Sequence, residues 1–306
     1  MRLQTARGVL ELGERPWLMG VVNATPDSFS DGGVFATLEA RVSLARELIA
    51  AGARIIDIGG ESGVTNRPPV LAEEEIARVV PLIEQVADLG AVVSVDTWKP
   101  AVARAAISAG ASMVNDFSGL HDPELADVCA ETGAALVVAH TRAAPKQKLL
   151  DPSLDGRVVD DVEAFLRERM AVALDRGVEL EQLLLDPGPD LGKTPAQTVE
   201  VLRCLHRFTS LGRPLLLAVS RKDFIGAITG RPPRERLAGT LAAVGFGVDA
   251  GVNVLRVHDV REVAEFLAVQ AVLRGDRPVD SELRLSDELR WEPAPAGRIA
   301  RLATEM

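Results

Sequence analysis

Eight short apolar runs recur along the chain, and each ends in polar or charged side chains. In order, WLMGVVN ends at Asn23, ARIIDIGGE carries Asp57 and reaches Glu61, AVVSVD ends at Asp96, and SMVND ends at Asn115 and Asp116. ALVVAH then ends at His140, LLLDPG carries Asp186, PLLLAVSRK ends at Ser220, Arg221 and Lys222, and VLRVHD carries Arg256, His258 and Asp259. Short continuous runs of this kind suit strands buried on both faces, as in a parallel sheet. Between them, seven stretches such as LEARVSLARELIAAGA and VREVAEFLAVQAVLRG repeat apolar residues at three- and four-residue spacing, the period of a helix with one buried face. Several of these stop at glycine, the usual helix terminator. The alternation predicts an α/β chain folded as a (β/α)8 TIM barrel, a fold of about 250 residues. A doubly wound sheet is the competing arrangement, but no G-x-G-x-x-G follows a strand. The expected organisation is an N-terminal segment over 1–16 closing the barrel, the barrel over 17–274, and a Pro-, Arg- and Glu-rich C-terminal extension over 275–306.

With 306 residues, 47% of them hydrophobic, the chain can bury a barrel-sized core. Its net charge of −10 argues against nucleic acid as a partner. Cys129 and Cys204 lie far apart and match no metal spacing, which suits buried thiols in a reducing cytosol. The N-terminus has no apolar signal core, and no run approaches the roughly 20 residues of a membrane span. A soluble cytoplasmic protein with no membrane partner is expected.

A barrel gathers the C-terminal ends of its strands on one face, where active sites sit. One polar strand end is ordinarily a helix cap or turn residue. Eight polar ends on one face point instead to a ligand. Asp96, Asn115 and Asp186 suit a flat heterocycle with amide-like N–H groups, and Lys222 suits a ring oxygen or nitrogen. Arg256 and His258, at the end of the eighth strand, suit a phosphate. Asn23 and the acids after it are oxygen donors of the kind that hold Mg²⁺ on a diphosphate. GPDLGKT resembles a phosphate loop but has three residues where that loop needs four. His121, His140, His206 and His258 show no zinc spacing.

The run NATPDSFSDGG, then DIGGES, SVDTWKPAVARAA, VNDFSGL, LLDPG with GKT, SRKDFIG and RVHDV, resembles the dihydropteroate synthases, of the pterin-binding family of TIM barrels. The resemblance runs from about Trp17 to Leu273. It implies condensation of 6-hydroxymethyl-7,8-dihydropterin diphosphate with p-aminobenzoate to dihydropteroate, with release of diphosphate, in folate biosynthesis. It implies that Asp96, Asn115, Asp186 and Lys222 hold the pterin, and that Ser220 borders the same slot. Arg256 and His258 would contact the diphosphate, and Asn23 would bind Mg²⁺. Phe29 and Asp31 would lie on a first mobile loop, with Asp31 near the developing positive charge. A homodimer through the late helices and a role as a sulfonamide target are also implied.

The p-aminobenzoate half of the site departs from the family pattern. The second loop reads ESGVTNRPPV, so Thr65 and Arg67 stand for a displaced Thr-Arg-Pro element. Leu191 replaces an aromatic and Asp190 a glycine in DPGPDLGK. Asp223 stands where serine is common, which predicts repulsion of the p-aminobenzoate carboxylate unless it turns away or Arg221 or Arg67 compensates. The basic loop from Arg142 to Lys148 is a second source of positive charge. The alternative is a relative that binds pterin without synthase turnover, or that uses another amine.

Overall fold

The computed structural model describes residues 1–25, 37–63, 68–147 and 149–291. Its strands are β1 (Arg2–Thr5), β2 (Gly8–Glu11), β3 (Trp17–Asn23), β4 (Ala53–Gly59), β5 (Val92–Asp96), β6 (Met113–Asp116), β7 (Ala135–Ala139), β8 (Leu183–Asp186), β9 (Leu216–Leu217) and β10 (Val254–Val257). β1 and β2 pair antiparallel, and the other eight form one sheet in the order β8-β7-β6-β5-β4-β3-β10-β9. Every pair in that sheet is parallel. A parallel bridge between Leu185 and Leu215 joins its two ends and closes the barrel. The (β/α)8 barrel expected from the eight runs is therefore the fold observed. β9 is much shorter than its apolar run, because the chain leaves the ladder after Leu217 and turns through a left-handed Arg221 at φ 59°.

The helices are α1 (Leu38–Ala50), α2 (Ala72–Ala87), α3 (Pro100–Ala109), α4 (Glu124–Thr132), α5 (Val158–Asp175), α6 (Pro195–Arg203), α7 (Leu205–Thr209), α8 (Asp223–Thr229), α9 (Leu237–Asp249) and α10 (Val260–Leu273). The single helix expected over PAQTVEVLRCLHRFTSLG is broken at Cys204 into α6 and α7. α8 and α9 are absent from the sequence expectation. α9 is rich in glycine and alanine rather than striped, because its neighbours come too close for side chains. A Cβ at Gly247 would lie 2.3 Å from Leu217, and one at Gly239 would lie 2.3 Å from Ile225.

Alternate strand residues face opposite sides, which splits the core in two. Ile56, Ile58, Val93, Val95, Leu136 and Val138 pack outward under the helices. Met19, Ile55, Met113, Val137, Leu184 and Leu216 fill the barrel interior, joined by Leu3 and Leu12 from the N-terminal hairpin. Arg213 ties that hairpin down. It donates from Nε to the Leu183 carbonyl at 3.1 Å, and from Nη2 to the carbonyls of Arg2 and Glu181 at 3.0 Å each. The chain divides into two compact units, Met1–Leu267 and Ala268–Met306. In the second, α10 ends and a 3-10 turn spans Asp287–Leu289, with Arg290 paired to Asp287 at 3.1 Å. No described helix is long and apolar enough to cross a membrane.

Replacing Arg213 with methionine strands three carbonyls at the barrel bottom. Hydrogen bonds from a charged donor contribute about 1.5–3 kcal/mol. Urea unfolding of Arg213→Met is expected to show a loss of that size; an unchanged midpoint would refute the clamp.

Candidate active site

Asp57 lies within β4 between Ile56 and Ile58, both of which face the helices. Alternation turns it inward, and its side chain is fully buried. A carboxylate there requires a partner, and β10 supplies one. Arg256 donates from Nε to Asp57 Oδ2 at 2.6 Å and from Nη2 to Asp96 Oδ2 at 2.7 Å. Asn115 Nδ2 donates to the same Asp57 oxygen at 2.9 Å. One guanidinium, two carboxylates and an amide thereby join four strands. Burial pushes the Asp96 carboxyl up to about 7, with Arg256 opposing the shift and the Asp57 charge adding to it. Asp96 Oδ1 is buried and accepts no hydrogen bond among the described residues. Asp116, next to Asn115, serves its own loop, accepting from the backbone N–H groups of Ser118 and Leu120 at 2.8 and 2.6 Å.

Asp96, Asn115 and Arg256 line a cavity of about 980 Å³ at the C-terminal mouth of the barrel, with Asp57 buried behind them. Asn23, Asp96, Asn115, Asp186, Lys222, Arg256 and His258 all reach it, as the strand-end pattern predicts. Ser220 is set just behind. Its Oγ accepts from the His258 backbone N–H at 3.2 Å and lies 3.1 Å from His258 Nδ1. Lys222 caps the N-terminus of α8 and donates from Nζ to the Pro189 carbonyl at 2.8 Å. Burial lowers its pKa, opposed by the charges of Asp186 and Asp190. Burial raises that of Asp186, opposed by a hydrogen bond from the Gly188 N–H at 2.8 Å and by Lys222. Phe29, Asp31, Thr65 and Arg67 lie outside the described residues.

The loops hold further ion pairs that the strand-end reasoning does not find. Lys99 Nζ lies 2.6 Å from Glu61 Oε2, 2.5 Å from Glu75 Oε2 and 2.7 Å from the Val70 carbonyl. Burial raises the pKa of Glu75 and Lys99 opposes it. Lys99 thus bonds to both flanks of the loop after β4. Lys146 spans to the same loop from the one after β7, donating to the Ser62 carbonyl at 2.8 Å and lying 3.4 Å from Glu61 Oε1. Arg142 Nε donates to Asp161 on α5 at 3.0 Å. Arg142 and Lys146, from the loop expected to bring positive charge, are both paired within the protein, and Lys146 also lines the cavity. Only the position of Glu61 at a strand end hinted at this network. Lys99, the N-cap residue of α3, lies in the SVDTWKPAVARAA run and Lys146 in the basic loop, but neither run marks them as partners of Glu61.

Asp223 borders the same cavity. Its side chain is 89% exposed and pairs with Arg236 Nη1 at 2.8 Å. Arg221 does not compensate, since its guanidinium is bound to Asp259 at 3.0 and 2.5 Å. Arg236 also donates to the carbonyls of Arg221 and Lys222 at 2.9 and 3.1 Å, so it braces the turn that aims Lys222. Asp190 has a structural part as well. Its carboxylate accepts from the Thr198 hydroxyl at 2.8 Å and from the Phe224 N–H at 3.0 Å, which caps α8. Leu191 lines the cavity.

The pterin binding enzyme family model matches residues 19–258. The dihydropteroate synthase of Bacillus subtilis (strain 168) is 41% identical over 264 residues, covering 86% of this chain and 90% of that protein. The structure of Xanthomonas albilineans dihydropteroate synthase with 4-aminobenzoic acid superposes with a TM-score of 0.82 at 40% identity, covering 90% of this chain and 99% of that one. Yersinia pestis dihydropteroate synthase in a sulfonamide drug complex superposes with a TM-score of 0.84 at 35% identity, covering 90% and 100%. With a closed parallel barrel and strand ends converging on one polar cavity, this chain belongs to the dihydropteroate synthase family of pterin binding enzymes.

Proposed function

We infer that the chain condenses 6-hydroxymethyl-7,8-dihydropterin diphosphate with p-aminobenzoate, giving 7,8-dihydropteroate and diphosphate as a transferase of folate biosynthesis. The observation that carries the reading is the buried Asp57–Arg256–Asp96–Asn115 network, set beside Asp186 and Lys222 in one cavity. It offers acceptors and donors in a fixed array for a flat heterocycle. In this reading Asp96, Asn115 and Asp186 accept from or donate to the pterin edge, and Lys222 meets a ring heteroatom. Arg256, with two nitrogens committed to carboxylates, is held rigid for the diphosphate side together with His258 and Ser220. Fixed dipoles and charges of this kind need no reorganisation as charge develops.

The pterin C–O bond breaks with its electron pair leaving on the diphosphate. The p-aminobenzoate nitrogen then forms the C–N bond and loses a proton. Orientation and electrostatics carry the step, so little acid–base machinery is required. We assign Asp31 the support of positive charge at the pterin methylene, and Phe29, Thr65 and Arg67 the loop contacts to substrate. The exposed, Arg236-paired Asp223 supports retention of p-aminobenzoate over a different amine. The sulfonamide complex of the Yersinia pestis relative supports the same cavity as a sulfonamide target. A cytoplasmic homodimer completes the reading.

Magnesium fits the donor set. No cluster of three or more His, Cys, Asp or Glu is placed to hold a metal among the described residues. Asn23, whose amide oxygen ends β3 at the cavity, suits an ion that takes one or two protein ligands and finds the rest on substrate phosphates. Mg²⁺ held there would neutralise charge on the departing diphosphate.

Three outcomes are expected. Pure protein with both substrates and Mg²⁺ forms dihydropteroate, and Lys222→Ala cuts the rate at least about 100-fold with an unchanged melting temperature. No product alongside tight pterin binding would favour the binding-only relative. In calorimetry, Mg²⁺ strengthens diphosphate binding to the native protein but not to Asn23→Ala; equal enhancement in both would remove Asn23 as the ligand. Affinity for the pterin without diphosphate rises as pH passes upward through about 7, where Asp96 ionises and becomes an acceptor. Asp57→Asn deletes a charge that raises the Asp96 pKa, so the midpoint moves to lower pH; a stationary midpoint would sink the role of Asp96.

A further inference from the structure

The GKT run and the histidine that follows β7 have no part in the chemistry above, yet the fold brings them together. Lys193 Nζ donates to His140 Nδ1 at 2.6 Å, and His140 Nε2 lies 3.0 Å from Asp161 Oδ2. His140 is 0% exposed and Lys193 is 4% exposed. Burial lowers the His140 pKa to about 4, against the Asp161 hydrogen bond, so the ring is neutral near pH 7. The neutral ring therefore accepts on Nδ1 and donates from Nε2. Lys193 Nζ also reaches the carbonyls of Gly188 at 2.8 Å, Leu191 at 3.3 Å and His140 at 3.4 Å. Two of those three carbonyls belong to the loop between β8 and α6.

That loop has an uncommon backbone. Gly188, Asp190 and Gly192 have φ of 64°, 59° and 64°. A Cβ at Gly188 would lie 2.0 Å from the His140 carbonyl oxygen, so no other residue fits. Asp190, with a side chain, sits in the left-handed region that L-residues rarely adopt. Such conformations persist only where the surroundings over-determine them. Lys193 supplies two of the restraints and Asp190, through Thr198 and Phe224, supplies two more. Between these fixed points stands Pro189, whose carbonyl accepts from Lys222 Nζ at 2.8 Å.

We propose that Lys193, backed by His140 and Asp161, is a positioning residue that clamps the loop after β8 so that the Pro189 carbonyl holds the Lys222 ammonium in the substrate cavity. Lys193 acts through the loop and through Lys222, not on the reacting atoms. The inference rests on the reading of Lys222 as a pterin-binding residue.

A double-mutant cycle separates this role from one in folding alone. Binding of the pterin diphosphate is measured by calorimetry for the native protein, Lys193→Met, Lys222→Ala and the double variant. Lys193→Met is expected to weaken binding about 10-fold in the native background and less than about 2-fold in the Lys222→Ala background, because interacting residues are not additive. No weakening, or the same factor in both backgrounds, would overturn the clamp. If Lys222→Ala itself binds like the native protein, the reading of Lys222 fails, a result distinct from the failure of the clamp. Should Lys193→Met not fold, His140→Gln takes its place in the cycle. It is expected to weaken binding about 3-fold or more, only when Lys222 is present, and an effect independent of Lys222 would count against the proposal.

Discussion

A guanidinium half-buried at the mouth of an apolar barrel is tolerated only when carboxylates meet it. Arg256 is bonded to Asp57 and Asp96, and Asn115 shares the Asp57 oxygen. The desolvation of three charges is large, and only good geometry offsets it. That geometry is available because β4, β5, β6 and β10 end at one level around a closed barrel. The network therefore depends on the fold, and the rest of the cavity depends on the network. Removing Arg256 would leave the Asp57 carboxylate buried and uncompensated, at about 3–5 kcal/mol.

Around that centre, the loops are held by long basic side chains that bond backbone carbonyls. Lys99 bridges Glu61, Glu75 and the Val70 carbonyl on the loop after β4. Arg236 braces the turn before α8, and Lys193 clamps the loop after β8. Irregular backbone at a barrel mouth carries carbonyls that helices and strands cannot satisfy. A long cationic side chain meets several at once. Such loops place Lys222 and the wall around it with the precision that orientation-driven catalysis needs.

The departures from the family pattern fit the same frame. Asp223 and Asp190 look like added negative charge in the substrate cavity when read along the chain. In the fold Asp223 is absorbed by Arg236, and Asp190 by Thr198 and the start of α8. Arg142 and Lys146 are likewise absorbed, by Asp161 and by Glu61 with the Ser62 carbonyl. The changes are compensated locally, with the inherited chemistry left in place.

The sequence by itself determined the barrel, its eight strands and the strand-end residues that face the cavity. These follow from short-range rules: the length of an apolar run, the helical period, and the convergence of strand ends in any closed parallel barrel. The same rules missed α8 and α9, where glycine replaces the apolar stripe at close approaches, as between Gly247 and Leu217. They also marked Asp57 without assigning its partner. Tertiary structure alone decided that pairing, the Lys193–His140–Asp161 chain and the Arg236 partner of Asp223. The reason is distance along the chain. Asp57 meets Arg256 from 199 residues away, and Lys193 meets His140 from 53. No local pattern encodes which charge answers another, because that choice is made when the barrel closes.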